Sequence, residues 1–244
     1  MKRIDRRINW RISMITVKRE KFKELKSIEQ DSELQEVLLQ QAQEFMELEI
    51  IFDSAIQEIM TKFEVLNNEY QIRLQRNPIH HMECRLKSPI SILEKLRRRG
   101  KELTVDSATG NLTDLAGVRV ICNYIDDIYV ISDILRTQDD ISVVKIVDYI
   151  KSPKSNGYRS LHVVVTVPVF LSTGKKIVPV EIQIRTIAMD FWASLEHQIH
   201  YKGVEDIPEI LVQRLKTCAD TISSIDVEMQ NINGDIKSIL EMSK

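Results

Sequence analysis

The sequence predicts an α+β protein in which helices come before and after a sheet of at least four strands. Residues 34–70 contain neither glycine nor proline and have helical periodicity. Four runs rich in β-branched residues follow between residues 116 and 184, and helical patterns return from residue 188. Because helices and strands do not alternate regularly, a doubly wound parallel fold is not predicted.

The first predicted element is a long amphipathic helix over residues 34–70. Its apolar residues recur every seven positions, at Phe45, Phe52, Ile59 and Leu66. Such a face normally packs against the rest of its own domain or against a second subunit, and we prefer both to a ligand-binding role.

A shorter helix is predicted over residues 88–99. Proline is favoured at the first position of a helix and glycine just beyond its end, where Pro89 and Gly100 stand. The residues that follow change to a strand-like pattern.

The four predicted strands are joined by one helix and one hairpin. A helix over residues 127–135 separates the first two strands, and a Ser-Thr-Gly-Lys turn makes the last two an antiparallel pair. Two more helices are predicted near residues 188–201 and from residue 208 onwards. The strands cover residues 116–123, 143–150, 160–167 and 177–184.

The composition is that of an ordered intracellular protein. The chain has 244 residues, 43% of them hydrophobic and 29% charged, with three cysteines that form no CxxC pair. No apolar run reaches the roughly 18 residues of a membrane span, and the N-terminus lacks the pattern of a secretory signal. We therefore expect a cytoplasmic protein with no membrane partner.

The formal net charge of −2 conceals two basic blocks. Residues 1–26 hold 10 basic and 3 acidic side chains, residues 27–70 hold 1 and 11, and residues 71–101 hold 9 and 2. The second basic block surrounds the predicted start of the helix at residue 88, a position suited to anions. A solvated basic face is the alternative, and neither a P-loop nor a Rossmann glycine motif is present.

The last predicted strand has one polar face, on which Glu181, Gln183 and Arg185 alternate with aliphatic residues. Ser160 and His162 alternate in the same way on the preceding strand. Two such strands side by side favour the floor of a cleft over a solvated outer face.

Residues 151–160, just before the third strand, carry lysines, an arginine and Tyr158. Cations and an aromatic ring at the mouth of a polar sheet suit a nucleotide, although an ordinary turn is the alternative. Asp114 precedes the first strand and is either a site carboxylate or a helix or turn cap.

Five sequence blocks resemble the synthetase domain of the RelA/SpoT homologues. They appear in the order typical of that family and span about residues 78–203, without the hydrolase domain of its longer members. The chain therefore resembles a stand-alone small alarmone synthetase. The blocks are RLKSPISILEKLRRRG at 85–100, LTDLAGVRVIC at 112–122, DYIKSPKSNGYRSLH at 148–162, EIQIRT at 181–186 and FWASLEH at 191–197.

The resemblance implies a nucleotidyltransferase-like mixed sheet flanked by helices, with long helical extensions at both ends. It implies a GTP diphosphokinase of the stringent response that moves pyrophosphate from ATP to the 3′-hydroxyl of GDP or GTP. The products would be AMP and ppGpp or pppGpp, with Mg²⁺ as cofactor. The alternative is a catalytically silent nucleotide- or RNA-binding module on the same fold.

The resemblance also implies a role for each site residue. Asp114 and Glu181 would be the catalytic and metal-binding carboxylates. The ATP-binding residues would be Arg85, Lys87, Ser91, Lys95, Arg98 and Arg119. The residues around GDP or GTP would be Lys154, Asn156, Tyr158, Arg159, His162 and Gln183.

Three regions follow from the charge pattern and the resemblance. Residues 1–70 would be a basic arm and an assembly helix, residues 71–203 the catalytic domain, and residues 204–244 C-terminal helices. Members of this family are usually homotetramers, so we expect a tetramer, with RNA or an alarmone as candidate regulators. The first 26 residues are either a mobile arm or extra helix, or a segment that binds RNA or an acidic partner.

The cluster formed by His80, His81, Glu83 and Cys84 contains zinc-ligating residue types. Four candidates so close in sequence seldom close a tetrahedral site, so we expect a structural loop here. Inhibition by zinc is the alternative.

Overall fold

A computed structural model describes residues 32–201 and 208–242 of the chain. The chain divides into two compact units, residues 1–50 and residues 51–244. In the first, the described residues form the beginning of helix α1 (Ser32–Leu74), which continues into the second. The predicted basic arm at residues 1–26 lies outside the described residues.

The part of helix α1 in the second unit has the apolar face that the seven-residue spacing predicts. Phe52, Ile56, Ile59 and Phe63 are all buried on this face. Buried apolar side chains of this size each contribute about 1.5–3 kcal/mol to folding. The predicted helix is confirmed, with longer ends than expected.

The centre of the second unit is a five-stranded mixed sheet in the order β1-β2-β5-β4-β3. Strands β2 and β5 run parallel, and the other neighbours are antiparallel. The predicted α+β class and the antiparallel hairpin are therefore confirmed. The strands are β1 (Ile79–Leu86), β2 (Ala116–Cys122), β3 (Ser142–Asp148), β4 (Leu161–Leu171) and β5 (Gly174–Thr186).

The four other predicted helices are present in the predicted order. Helix α2 (Pro89–Arg98) begins after Ser88, whose Oγ accepts a hydrogen bond from the Ser91 backbone N–H at 3.3 Å. Past its end, Gly100 has a φ of +63°, a conformation that glycine adopts without strain. The others are α3 (Val105–Asn111), α4 (Ile125–Arg136), α5 (Ile187–Tyr201) and α6 (Glu209–Met242).

Two elements were not predicted, strand β1 and helix α3. Strand β1 is an edge strand that pairs only with β2, and Ile79 is its only fully buried residue. An edge strand with both faces largely exposed does not need an apolar pattern. Helix α3 is only two turns long and includes Gly110, so its sequence gives little helical signal.

The main core lies on the aliphatic face of the sheet. Helix α4 packs against β2 and β5 and buries Ile128, Ile131 and Leu135. Helix α5 packs against the same two strands and against α6. Within residues 32–201 and 208–242, no helix is long and apolar enough to cross a membrane.

Helix α6 also supports the segment before β4. Gly157, in this segment, has a φ of +91°, and a Cβ atom there would lie 2.5 Å from the Ala219 side chain of α6. Arg159 Nη2 donates to Asp220 Oδ1 at 3.1 Å. The segment between β3 and β4 is therefore held from behind by α6.

Candidate active site

The polar face of the sheet is built by residues that pair across three strands. Arg119 of β2 lies opposite Gln183 of β5, which lies opposite His162 of β4. Two residues earlier on both β2 and β5, Gly117 lies opposite Glu181. Paired residues project to the same side of a sheet, so the polar groups of β2, β4 and β5 share one face. This is the cleft floor that the alternation predicts.

Above this face lies a cavity of about 820 Å³, open to solvent. Helix α5 forms one wall through Ala193, Ser194, Glu196 and His197. Most of the predicted site residues line the cavity: Arg85, Asp114, Arg119, Lys154, Asn156, Tyr158, His162, Glu181 and Gln183.

Asp114 lies between α3 and β2 and is held by two lysines. Its Oδ2 accepts hydrogen bonds from Lys87 Nζ, at 2.7 Å, and from Lys95 Nζ. Burial alone would raise the pKa of Asp114, but the two lysine hydrogen bonds outweigh it and hold the pKa below its ordinary value. Asp114 is therefore an ionised site carboxylate, and the alternative of a helix or turn cap does not describe these contacts.

Glu181 is the second carboxylate of the cleft. Its Oε2 accepts a hydrogen bond from Gln183 Nε2 at 3.1 Å, and its Oε1 lies 3.4 Å from His162 Nδ1. The interaction with His162 is the main reason why the pKa of Glu181 lies below its ordinary value, although burial and the charge of Asp114 act against it. Both carboxylates are therefore anionic near neutral pH.

The predicted ATP side contains more cations than its carboxylates neutralise. Arg119 Nη1 donates to Glu83 Oε2 at 2.9 Å and lies 3.5 Å from Asp190 Oδ1. Burial lowers the pKa of Lys87 despite its contact with Asp114. Arg85 of β1 also lines the cavity and lies opposite Gly117 of β2.

Four residues predicted for ATP lie outside the cavity lining: Lys87 and, on helix α2, Ser91, Lys95 and Arg98. Ser91 Oγ accepts a hydrogen bond from Ser88 Oγ at 2.9 Å. The Ser91 hydroxyl therefore contacts the residue that caps the start of the helix. Arg98 is exposed in the last turn of the same helix.

The residues predicted to surround the acceptor nucleotide, GDP or GTP, centre on Tyr158. Lys154 Nζ lies 4.7 Å from the centre of the Tyr158 ring and 4.8 Å from that of Tyr149. Asn156 Nδ2 donates to Glu196 Oε1 at 3.0 Å, which joins this segment to helix α5. Arg159 is the member that the structure does not bring to the cleft, because its guanidinium is bonded to Asp220 and to the Ala219 carbonyl.

Among the residues that the sequence gave no role, Arg185 and Glu196 line the cavity and Asp190 contacts Arg185. Arg185 carried a signal, since it continues the polar alternation of Glu181 and Gln183 along β5. The two acids lie on helix α5, at the edge of and within the FWASLEH block. Nothing in their spacing says which face of the helix meets the cleft.

The zinc-ligating residue types near residue 80 lie in strand β1, so the expectation of a loop was wrong. The Nδ1 atoms of His80 and His81 are 2.8 Å apart and share a hydrogen bond. In the part of the chain that the structure describes, no three His, Cys, Asp or Glu side chains are grouped to hold a metal. The structure therefore gives the zinc hypothesis no support.

The mixed sheet and the polar cleft on its face define an α+β protein with the layout of an enzyme site. A family model described as "Region found in RelA / SpoT proteins" matches residues 84–206. The chain belongs to this family, as the five sequence blocks predict.

Similar proteins cover most of the chain. It is 43% identical to the GTP pyrophosphokinase YwaC of Bacillus subtilis over 187 residues, which are 77% of this chain and 89% of that protein. Small alarmone synthetase 1 of Bacillus subtilis, solved bound to its product pppGpp, aligns with a TM-score of 0.73 and 36% identity over 79% of this chain and 97% of that one. The same enzyme solved with AMPCPP aligns with a TM-score of 0.69 and 34% identity over 80% and 99%.

Proposed function

We propose that this chain is a GTP pyrophosphokinase that transfers pyrophosphate from ATP to the 3′-hydroxyl of GDP or GTP. The products are AMP and ppGpp or pppGpp. The observation that carries the proposal is the pair of ionised carboxylates, Asp114 and Glu181, between a cation-rich end of the cleft and the aromatic group around Tyr158. The similar YwaC of Bacillus subtilis is named a GTP pyrophosphokinase, and small alarmone synthetase 1 was solved bound to its product pppGpp.

ATP occupies the end of the cleft formed by β1, β2 and helix α2. Arg85 and Arg119 hold the adenine ring between their guanidinium planes. Lys87 and Lys95, already at Asp114, contact the phosphates together with Ser91 and Arg98. Positive charge at the start of a helix is a suitable environment for a polyphosphate.

The acceptor nucleotide occupies the other end, where guanine stacks on Tyr158. Lys154, Asn156, His162 and Gln183 surround it and contact its phosphates and ribose. Arg159 serves the same end by holding its segment against α6, as its hydrogen bonds to that helix support.

The transfer is an in-line displacement at the β-phosphorus of ATP. The 3′-oxygen forms the new O–P bond, the bond between the β-phosphorus and the oxygen bridging to the α-phosphorus breaks, and AMP leaves with that oxygen. Glu181 is the base within the cleft that takes the proton of the 3′-hydroxyl. Lysines and arginines neutralise the charge that develops on the phosphate oxygens.

The donor set fits a magnesium ion. Mg²⁺ binds carboxylate oxygens, often through only one or two side chains together with substrate phosphates, and Asp114 and Glu181 border one cavity. These two residues would hold the ion, which supplies positive charge next to the transferring phosphoryl group.

The direct test is to incubate the purified protein with labelled ATP, GDP or GTP and Mg²⁺ and to separate the nucleotides. Equal amounts of AMP and a 3′-pyrophosphorylated guanine nucleotide are expected. ADP as the product would indicate an ordinary kinase, and binding without any product would favour the silent nucleotide- or RNA-binding module.

Tyr158→Ala is expected to raise the KM for GTP by about tenfold and to change the KM for ATP by less than about twofold. Loss of one stacking platform for a base corresponds to about 1–3 kcal/mol. Steady-state kinetics with one nucleotide varied at a time measures both constants.

Phe170→Ala is the matched control, because Phe170 is an aromatic residue of strand β4 outside the cavity lining, with 74% of its surface exposed. This variant is expected to keep both constants. An unchanged KM for GTP in Tyr158→Ala would contradict the placement of guanine.

We also propose a homotetramer, with residues 1–70 and 204–244 serving assembly and residues 71–203 catalysis. The support is the spacing of Ile225, Ile232 and Ile239 on α6, which are all exposed and recur every seven residues. Light scattering of the purified protein is expected to give four times the chain mass. RNA or an alarmone is the proposed regulator, with the basic residues 1–26 as the proposed RNA contact. We also propose a cytoplasmic location.

A further inference from the structure

Arg185, near the end of strand β5, directs its guanidinium towards the acceptor end of the cleft. Only 4% of the residue is exposed. Its Nη2 donates to Tyr158 Oη and to Gln183 Oε1, each at 2.7 Å. Its Nη1 donates to Asp190 Oδ1 at 3.2 Å, and its Cζ lies 5.1 Å from the centre of the Tyr158 ring. Both Nη2 contacts are therefore made to residues placed around the acceptor nucleotide.

These hydrogen bonds belong to a closed ring of five side chains. Tyr158 Oη lies 2.7 Å from His162 Nε2, and His162 Nδ1 faces Glu181 Oε1. Gln183 Nε2 donates to Glu181 Oε2, and Gln183 Oε1 accepts from Arg185. The ring connects the aromatic group at the acceptor end with the carboxylate that serves as the base.

The chemistry of the ring members fixes the direction of the hydrogen bonds that Arg185 donates and that Glu181 accepts. A guanidinium can only donate and a carboxylate can only accept. His162 Nδ1 therefore carries a proton towards Glu181, and His162 Nε2 faces the Tyr158 hydroxyl. The Gln183 amide is oriented in the same way, with its oxygen towards Arg185 and its nitrogen towards Glu181. Arg185 thus donates to both Tyr158 and Gln183 and orients these two side chains.

We propose that Arg185 is a positioning residue that orients Tyr158 and Gln183, and through His162 the Glu181 carboxylate, for the acceptor nucleotide. This inference rests on the proposed function, because it takes the acceptor to be a guanine nucleotide at Tyr158. Arginine suits the role better than lysine, since its planar fork presents several donors in a fixed geometry. Asp190 compensates its charge without entering the ring.

The test compares two nucleotides in five variants by calorimetric titration, with GTP for the acceptor end and AMPCPP for the ATP end. In Arg185→Gln the Kd for GTP is expected to rise by about tenfold or more, the usual effect of losing charge-assisted hydrogen bonds. Arg185→Lys is expected to recover part of this loss. The Kd for AMPCPP is expected to change by less than about twofold in both variants.

Tyr158→Phe removes only the hydroxyl that Arg185 contacts, and it provides the third variant. Combined with Arg185→Gln, its effect on GTP binding is expected to be clearly less than the product of the two single effects, because both changes break one ring. Tyr158→Phe alone also keeps the inference testable if Arg185→Gln does not fold.

Arg76→Gln is the matched control. Arg76 pairs with Asp127, a carboxylate with only 2% of its side chain exposed, at a distance from the cleft lining. Loss of this pair is expected to lower the melting temperature and to leave the two Kd values in their original ratio. A purely structural role of Arg185 would give the same pattern.

Equal changes in GTP and AMPCPP binding, or fully multiplicative effects of Arg185→Gln and Tyr158→Phe, would overturn the inference. The proposed function fails separately, if the unaltered protein forms no AMP and no pyrophosphorylated product. The binding measurements require no turnover, so they decide on Arg185 in either case.

Discussion

Glu181→Gln is expected to abolish measurable pppGpp formation while the protein remains folded. The amide has the shape of the carboxylate but is neutral, so it neither accepts the 3′-hydroxyl proton nor offers an anionic oxygen to a metal. Loss of general-base help alone lowers turnover by about 10²–10⁴-fold. Its neighbours Gln183 and His162 direct donors at this position, and an amide nitrogen there leaves one donor without an acceptor. Single-turnover product analysis and thermal melting measure the two expectations.

Glu94→Gln is the control for this substitution, because Glu94 is exposed on helix α2 and outside the lining of the cavity. Its turnover is expected to equal that of the unaltered protein. Glu181→Gln turning over at the rate of Glu94→Gln would remove Glu181 from the reaction.

Asp114→Asn is expected to lower turnover by about 10²-fold or more, as the loss of a preorganised charge in an active site usually does. The substitution also changes the contacts of Lys87 and Lys95. Oδ2 of Asp114 holds two ammonium groups, and without the carboxylate charge Lys87 and Lys95 repel each other instead of sharing one anion. The phosphate-binding cations are then displaced in addition to the loss of the metal ligand, so the KM for ATP is expected to rise as well. Initial rates at varied ATP concentrations separate the two effects.

Asp106→Asn in helix α3 is the matched control, since Asp106 is an exposed aspartate of the adjacent helix. It is expected to leave kcat and the KM for ATP unchanged. A fall in kcat without any change in the KM for ATP would show that the lysines keep their positions without Asp114. Unchanged kcat would refute the catalytic role of this carboxylate.

Most of the fold could be predicted because its signals are periodic. The heptad spacing of α1 and the alternation of β4 and β5 are properties of single segments, and they were confirmed. Strand β1 could not be found in this way, because its conformation depends on pairing with β2 and not on an apolar face of its own. The sequence IHHMECRL has no strict alternation to reveal it.

The site was predictable to the extent that strand alternation places residues on one face. Glu181, Gln183 and His162 share the cleft floor for that reason. The cluster of Asp114 with Lys87 and Lys95 could not be derived, because it depends on how α2 packs beside the loop before β2. Arg159 was predicted for the cleft but contacts Asp220 instead. Its position in the sequence block could not predict this contact, because Asp220 lies 61 residues away.

The hairpin of β4 and β5 gives the two ends of the cleft different folding requirements. The ring around Arg185 lies within residues 158–162 and 181–185, on the hairpin and the residues just before it. Antiparallel strands joined by a short turn form early, because little chain entropy is lost in closing them. The opposite end needs the parallel pairing of β2 with β5, which joins Arg119 to Gln183 across 64 positions of sequence. Contacts of such separation form late, so the β4–β5 part of the acceptor end is expected to acquire its structure before the ATP end.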